Sequence, residues 1–286
     1  MTNEPPRASS RPGPRPRPRT TRRGRLVLIA TAVTAVAAAV LVGIWATGEP
    51  PAGKPKTVPL LIPEGRRASQ VYDSVDRLLH VPRGTTAKAA ATARLPLPGA
   101  AKRNPEGYLF PATYPVGTDT TPGELLAHMV DTARQRFGAD HVTEGARRNG
   151  VTVYQTVTIA SIVQAEAATA ADMAKVARVV HNRLARDMPL QMDSTLNYAL
   201  NRSTLDTTHS DLRTETPYNT YASKGLPPTP IGNPGQQATD AAINPARGDW
   251  LYFVTVAPGD TRFTADYAEH RRNVEEFNAN RSAAEN

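Results

Sequence analysis

The segment Thr158–Ala167 reads TIASIVQAEA, and its pattern decides how the centre of the chain folds. Ile159, Ile162 and Val163 recur at helical spacing, which predicts a helix with a buried apolar face. Glu166 follows these three residues on the same face. A carboxylate on an apolar face calls for an explanation, because an ionised side chain is costly to bury.

Glu166 has two possible explanations at this point. Partial burial raises the pKa of a carboxyl group, and the C-terminal end of the predicted helix, Val153–Ala168, disfavours a negative charge further. Both effects favour a group that is protonated near neutral pH, as a general acid must be. Gln164 would point about 200° away from Glu166 around the helix. The alternative is that the helix ends at Glu166 and the side chain turns into water.

The surrounding sequence predicts an α+β fold that is mainly helical. Strand patterns occur in 57–65 and at Trp250–Val256, and the segments 83–97, 104–116 and 217–235 are ambiguous or loop-like. The last of these holds five prolines and three glycines, and a loop of that length in a compact domain is usually functional or disordered. Helical patterns cover Ala68–His80, Pro122–Phe137, Asp172–Arg186, Leu196–Leu200 and Ala265–Asn280.

The net charge of +8 is concentrated at the N-terminus. Residues 1–25 contain eight Arg and one Glu, so the rest of the chain is nearly neutral, with 26 basic and 25 acidic residues. This distribution lacks the basic surface of a nucleic-acid-binding domain, and we expect no nucleic-acid partner. The Arg- and Pro-rich tail has few apolar residues, which predicts disorder.

Residues 26–46, LVLIATAVTAVAAAVLVGIWA, contain no charged residue. A helix of 21 residues spans roughly 30 Å, the thickness of the hydrocarbon core of a bilayer. We therefore expect a single membrane anchor in preference to a cleaved signal peptide, whose apolar core is usually shorter. Arg22, Arg23 and Arg25 flank the segment and predict a cytoplasmic tail with the rest of the chain exported. Residues 47–56 read as a linker.

Composition and motifs exclude several chemistries. The chain has no cysteine, which excludes disulfides, a thiol nucleophile and cysteine-ligated zinc. None of the six histidines forms a paired metal-binding motif, and neither a phosphate-binding glycine loop nor a nucleophile elbow occurs. We therefore expect no metal and no cofactor, and the candidate chemistry falls to carboxylates.

Further candidate residues lie in two segments after the central helix. Asp193 in LQMDST is either a second carboxylate in a groove or, like Ser194, the N-cap of the following short helix. Tyr218, Asn219 and Tyr221 in PYNTY combine aromatic faces with an amide, a set that suits a sugar chain. The same residues would also suit a rigid loop that ties itself down.

Several segments, in this order, resemble the YceG-like family of endolytic murein transglycosylases. They run from Asn104 to His270 and agree most strongly after Thr158: ASIVQAEA, VVHNRLARDMPLQMDSTLNYAL, TPYNTYASKGLPPTPIGNPG and WLYFVTVAPGDTRFTADYAEH. The resemblance implies a membrane-anchored enzyme with a small LysM-like module at 57–103. It also implies a larger, mostly helical catalytic domain at 104–280 with a short β-hairpin, followed by a tail at 281–286.

The resemblance also implies an activity. Such enzymes cleave β-1,4 bonds between N-acetylmuramic acid and N-acetylglucosamine inside nascent glycan strands and leave 1,6-anhydro ends, close to the peptidoglycan synthases. The essential glutamate of the family corresponds to Glu166. Gln191, Asp193, Ser194, Tyr218, Asn219 and Tyr221 are then expected to bind the strand. The chain departs from the family pattern at Gln164, where a carboxylate is usual, at Thr229, where glycine is usual, and at Thr261, where histidine is common.

Two other functions remain open at this stage. Asp193 could activate water opposite Glu166, which would make the protein a hydrolysing muramidase. Alternatively, the departures from the family pattern could accompany a loss of catalysis, leaving a membrane-tethered protein that binds glycan or assists assembly. The chemical nature of the product distinguishes the first two activities.

Overall fold

The computed structural model describes residues 57–203 and 208–285. The predicted tail, membrane helix and linker at 1–56 lie outside these residues. Within the described ranges, no helix is both long enough and apolar enough to cross a membrane. The architecture mixes helices with two small antiparallel sheets, as the α+β prediction expected.

The strands and helices have the following bounds along the chain. The strands are β1 (Val58–Leu61), β2 (Thr113–Val116), β3 (Tyr252–Ala257) and β4 (Asp260–Thr264). The helices are α1 (Ala68–Leu78), α2 (Thr85–Thr92), α3 (Pro122–Phe137), α4 (Asp140–Arg148), α5 (Val153–Glu166), α6 (Ala170–Ala185), α7 (Asp193–Ala199), α8 (Gln236–Ile243) and α9 (Tyr267–Glu285). Single 3₁₀ turns occur at Gly99–Ala101 and Asp211–Arg213.

Local sequence signals account for where the long helices begin. Thr121 caps α3 by accepting a hydrogen bond from the Glu124 backbone N–H, and the Glu124 side chain returns the contact in a capping box. Thr152 and Gln155 form the same motif at the start of α5. These caps satisfy backbone donors that have no partner inside the helix, so both helices start where the sequence predicted.

Helix α5 passes through the centre of the molecule. Its residues 156–163 are all buried, so the helix is enclosed on every side rather than along one stripe. Val157 packs in a first core with β1, α1, β2 and α3, whereas Ile159 packs in a second core with α6 and α8. The helix ends at Glu166, where the chain leaves the second core.

Several elements differ from the sequence-based predictions. The segment 104–116 ends in strand β2, which pairs with β1 in the register Val58↔Val116. This pairing crosses the predicted domain boundary at residue 103. The helices α2, α4 and α8 were not predicted. The small and polar residues of α2 and α8 give a weak periodic signal, whereas α4 is amphipathic but short, with Val142 as its one large apolar residue.

The hairpin of β3 and β4 lies against α9. Phe253 pairs with Phe263 across the hairpin, and their rings stack 5.7 Å apart between centroids. The predicted strand at Trp250–Val256 is therefore confirmed with a shift of its bounds to residues 252–257. Together, the hairpin and α9 form a wall on the side of the molecule toward which α5 ends.

Gly107 offers a test of how tightly the loop at 217–235 and α5 pack against the segment 104–116. Its φ of +84° favours glycine, and a Cβ there would lie 2.5 Å from Pro230 and 3.2 Å from Val157. We expect Gly107→Ala to reduce the free energy of unfolding by about 3 kcal/mol, from backbone strain and overpacking together.

Gly84→Ala is the matched control in chemical denaturation. Gly84 has a similar φ of +89° but no atom within 4 Å of an added Cβ, so only the backbone strain of about 1 kcal/mol applies. Equal losses in the two variants would show that the loop does not press on Gly107.

Candidate active site

Glu166 is the last residue of α5, and its carboxylate accepts a hydrogen bond from the start of α7. The backbone N–H of Ser194, in the first turn of α7, donates to Glu166 Oε1 at 3.2 Å. The side chain is half-buried and lines a cavity of about 1470 Å³. Helix α5 therefore ends at Glu166, but its side chain is fixed at the cavity rather than directed into bulk water.

The surroundings of Glu166 favour its protonated form. Burial raises the pKa of the Glu166 carboxyl, and the nearby charge of Asp193 raises it further, against the contacts from Ser194. The Ser194 hydroxyl is buried close to the carboxylate without the geometry of a hydrogen bond, so we count the backbone N–H as the fixed contact. The direction of the pKa shift agrees with the sequence-based expectation.

Asp193 is held by an aromatic hydroxyl. Tyr221 donates from its hydroxyl group to Asp193 Oδ1 at 2.6 Å, and both side chains line the cavity. The prediction that Asp193 or Ser194 caps α7 was wrong, because the helix begins at Asp193 and the cap position is Met192, with no side-chain cap. The start of α7 is instead tied to the loop, where the Met192 N–H donates to Thr220 Oγ1 at 3.0 Å.

The side chains of Asn219 and Tyr218 form hydrogen bonds that hold the loop, and they do not line the cavity. Asn219 is fully buried and donates to the carbonyl oxygens of Leu212 and Thr214, both at 2.9 Å. The Tyr218 hydroxyl is 2.9 Å from Thr229 Oγ1. Neither residue lines the cavity with Glu166. Their contacts correspond to the alternative in which the PYNTY segment ties itself down.

Gln191 lies at the cavity, but its side chain is already engaged. Its backbone has a φ of +53°, and its N–H donates to the Thr220 carbonyl at 2.9 Å. Its Oε1 accepts from Arg183 Nη1 at 3.0 Å. The structure thus brings Glu166, Gln191, Asp193 and Tyr221 together at one cavity and places Ser194 directly behind Glu166.

Arg183 organises this wall of the cavity, and the sequence analysis missed it. It is buried, and its guanidinium donates to the carbonyl oxygens of Pro189 and Leu190 at 3.0 and 2.9 Å. A third donation, from Nε, reaches the Leu251 carbonyl at 2.6 Å. The available signal was its position in the sequence, three residues after Val180 on the face of α6 that the valines bury.

The aromatic residues that line the cavity next to Arg183 were also missed. Tyr252 on β3 stacks on His270 of α9 with ring centroids 5.0 Å apart, and Tyr267 lies 5.5 Å from Tyr252. Burial and the charge of Arg183 lower the pKa of His270, which keeps its ring neutral. All three side chains line the cavity. Among the residues that the structure describes, no group of three His, Asp or Glu side chains could hold a metal ion.

Known proteins resemble this chain in sequence and in fold. The model of the YceG-like family matches residues 35–276. The chain belongs to the YceG-like family. Its fold is similar to the crystal structure of a YceG-like protein from Listeria monocytogenes, with a TM-score of 0.65 and 31% sequence identity over 76% of this chain and 75% of that one.

Named relatives match more than half of the chain. The endolytic murein transglycosylase of Bacillus subtilis is 38% identical over 173 residues, which are 60% of this chain and 48% of that protein. The endolytic murein transglycosylase of Streptococcus pneumoniae serotype 2 is 36% identical over 177 residues, covering 60% and 32%. The matched region therefore spans about half, or a third, of the length of these relatives.

The raised pKa of Glu166 predicts how its replacement affects stability. Because the folded-state pKa lies above the unfolded-state value of about 4.3, the wild type loses stability as the pH rises through that value toward the folded-state pKa. Glu166→Gln has no such loss and can still accept the Ser194 hydrogen bond. The Tm of the variant minus that of the wild type should therefore be larger at pH 8 than at pH 5.

Glu124→Gln serves as the control in the same thermal unfolding series. The Thr121 contacts lower the pKa of Glu124, so both of its pKa values lie below pH 5 and its Tm difference should stay constant over this window. A Tm difference for Glu166→Gln that does not change with pH would contradict the proposed burial effect.

Proposed function

We propose that this protein is an endolytic lytic transglycosylase that cleaves peptidoglycan glycan strands. The observation that carries the proposal is a half-buried carboxylic acid, Glu166, with a raised pKa and a fixed backbone donor, at the head of a large cavity. The endolytic murein transglycosylases to which the chain is similar support the same activity and the same substrate class.

In this mechanism Glu166 acts twice. Its protonated carboxyl donates to the glycosidic oxygen, so the bond to C1 of N-acetylmuramic acid breaks with oxocarbenium character. The carboxylate then takes the proton from the C6 hydroxyl of the same sugar as that oxygen closes on C1. No water is consumed, and the product carries a 1,6-anhydro end. Because the nucleophile belongs to the reacting sugar, its tethering provides the entropic advantage.

Asp193 defines the second candidate, a hydrolysing muramidase. Its charge lies close enough to raise the pKa of Glu166, which is the proximity that a second carboxylate would need. Its Oδ1, however, already accepts the short hydrogen bond from Tyr221. We therefore assign Asp193 and Tyr221 to the positioning of the strand and favour the mechanism with a single carboxylate.

The larger organisation is part of the same proposal. Residues 26–46 would anchor the protein in the cell membrane by a single helix, with the Arg-rich tail in the cytoplasm and the catalytic part outside. Residues 57–103 would form a LysM-like module, and 104–280 the catalytic domain. In this position the enzyme would act on strands as synthases release them and would end their elongation.

Product analysis tests the reaction. Purified full-length protein is incubated with peptidoglycan sacculi, and the released muropeptides are analysed by mass spectrometry. We expect ends that are lighter by one water molecule than reducing ends, and a loss of product of at least about 10³-fold in Glu166→Gln, because an amide cannot protonate the glycosidic oxygen.

Asp193→Asn separates the two candidate reactions. We expect it to reduce the rate while the ends remain anhydro, because Asp193 does not activate water. Reducing ends from the wild type would identify a hydrolase, and full activity in Glu166→Gln would remove Glu166 from the mechanism.

The aromatic residues at the cavity predict where the glycan strand binds. Tyr267 is 60% exposed at the cavity, so its ring is available to a sugar face. In the Glu166→Gln background, which binds without cleaving, Tyr267→Ala should weaken strand binding by about 1 kcal/mol, roughly fivefold in Kd. Tyr267→Phe keeps the ring and should bind as the parent does. Equal affinity of the alanine variant would place the strand elsewhere.

A further inference from the structure

Glu106 is a buried carboxylate that the proposed mechanism does not use. It is 4% exposed and belongs to the segment NPEGYLF before β2. Its Oε1 accepts from the backbone N–H of Ala68 at 2.9 Å, and its Oε2 accepts from the Tyr198 hydroxyl at 3.1 Å. The side chain does not line the cavity that contains Glu166.

These two hydrogen bonds connect segments that are far apart in sequence. Ala68 is the first residue of α1, whereas Tyr198 lies near the end of α7. The ring of Tyr198 is also covered by the Arg67 guanidinium, 5.3 Å from the ring centroid. Arg67 continues to the Arg202 carbonyl through a hydrogen bond of 2.6 Å. Glu106 and Arg67 therefore both connect the start of α1 to the C-terminal end of α7.

Helix α7 reaches Glu166 from its other end. Ser194, whose N–H donates to Glu166, lies one turn before Tyr198 on this helix of seven residues. The first turn is fixed to the loop by Thr195, whose hydroxyl is 2.9 Å from that of Thr220. In a helix this short, the position of the Ser194 N–H depends on how both ends are held.

A carboxylate in this place is not required for packing. Burial raises the pKa of Glu106 to about 7, against the hydrogen bonds from Ala68 and Tyr198 and the charge of Arg67. A buried group of this kind is often no more stabilising than an apolar side chain of similar size. Its two specific hydrogen bonds instead fix the relative positions of two helices.

We propose that Glu106 is a positioning residue for the general acid, acting through Tyr198 and α7 to hold the Ser194 N–H against Glu166. The proposal rests on the proposed function. It also means that the start of α1, in the N-terminal segment, is mechanically linked to the acid. Tyr198 extends the link to the PYNTY loop, because its ring lies 5.1 Å from that of Tyr218.

Tyr198→Phe and Glu106→Met test the link, because each removes one partner of the hydrogen bond and keeps a side chain of similar length. We expect each variant of the full chain to lower kcat about tenfold, the effect of one lost hydrogen bond in the support of the acid, with KM nearly unchanged. Because both variants break the same contact, the double variant should be no slower than the slower single one.

Tyr114→Phe is the matched control for a purely structural effect. The Tyr114 hydroxyl is also buried and donates to the Phe110 carbonyl at 2.6 Å, but it lies in the first core, away from α7. Its loss should lower Tm and leave kcat unchanged when the assays are run well below Tm. If Tyr198→Phe and Glu106→Met behave in the same way, the positioning role is overturned.

Hydrogen exchange of the backbone amides of 193–199 provides a readout that does not depend on cleavage. We expect faster exchange in Tyr198→Phe and Glu106→Met and no change in Tyr114→Phe. Unchanged exchange in all three variants would overturn the link to α7. If the wild type releases no muropeptide, the proposed function fails, and the exchange data alone still decide whether Glu106 holds α7.

Discussion

The contact between the Ser194 N–H and the Glu166 carboxylate is the interaction on which the candidate site depends. It joins the end of the most enclosed helix, α5, to the start of the short helix α7. Residues 156–163 of α5 are all buried, so the acid follows directly on an enclosed stretch of helix. Burial, the helix C-terminus and the Asp193 charge all oppose ionisation there, whereas the Ser194 N–H favours it. The pKa of Glu166 therefore depends on the position of the Ser194 N–H, which belongs to α7.

Buried polar side chains connect the loop at 217–235 to α7 and to the N-terminal segment. Asn233 is fully buried, accepts from the Leu109 N–H at 2.8 Å and donates to the Arg66 carbonyl at 2.7 Å. Asn219 performs the same task for the PYNTY turn through its two backbone carbonyl partners. An amide can satisfy donors and acceptors at once, which lets an irregular segment pack without leaving unpaired backbone groups. The length of this loop thus reflects its role as a connection between α5, α7 and the start of α1.

The sequence predicted the elements whose signals are local. Pro122–Phe137 was predicted with its correct bounds, because Thr121 and Glu124 mark its start and its apolar face is regular. The helix α8, QQATDAAI, carries no comparable signal, and its burial comes from α5 and α6 on either side. In the site, Glu166 could be singled out because a carboxylate is anomalous in an apolar helix. Tyr252 and His270 could not be singled out, since they reach the cavity only after the hairpin and α9 have packed together. Glu106 was missed for a related reason, because both of its partners are distant in sequence.

The departure at Gln164 fits a site with one acid. Its Oε1 accepts from the Gly235 N–H at 3.0 Å, so this side chain fastens the loop and does not face the cavity. A Cβ at Gly235 would fall within 2 Å of the Glu64 carboxylate, which shows how closely that acid approaches the same point. A second carboxylate at 164 would add a like charge beside Glu64. An amide accepts the same hydrogen bond without that repulsion, and it leaves Asp193 as the carboxylate that acts on the pKa of Glu166 from across the site. Gln164 thus holds the loop, while Asp193 acts on the proposed acid.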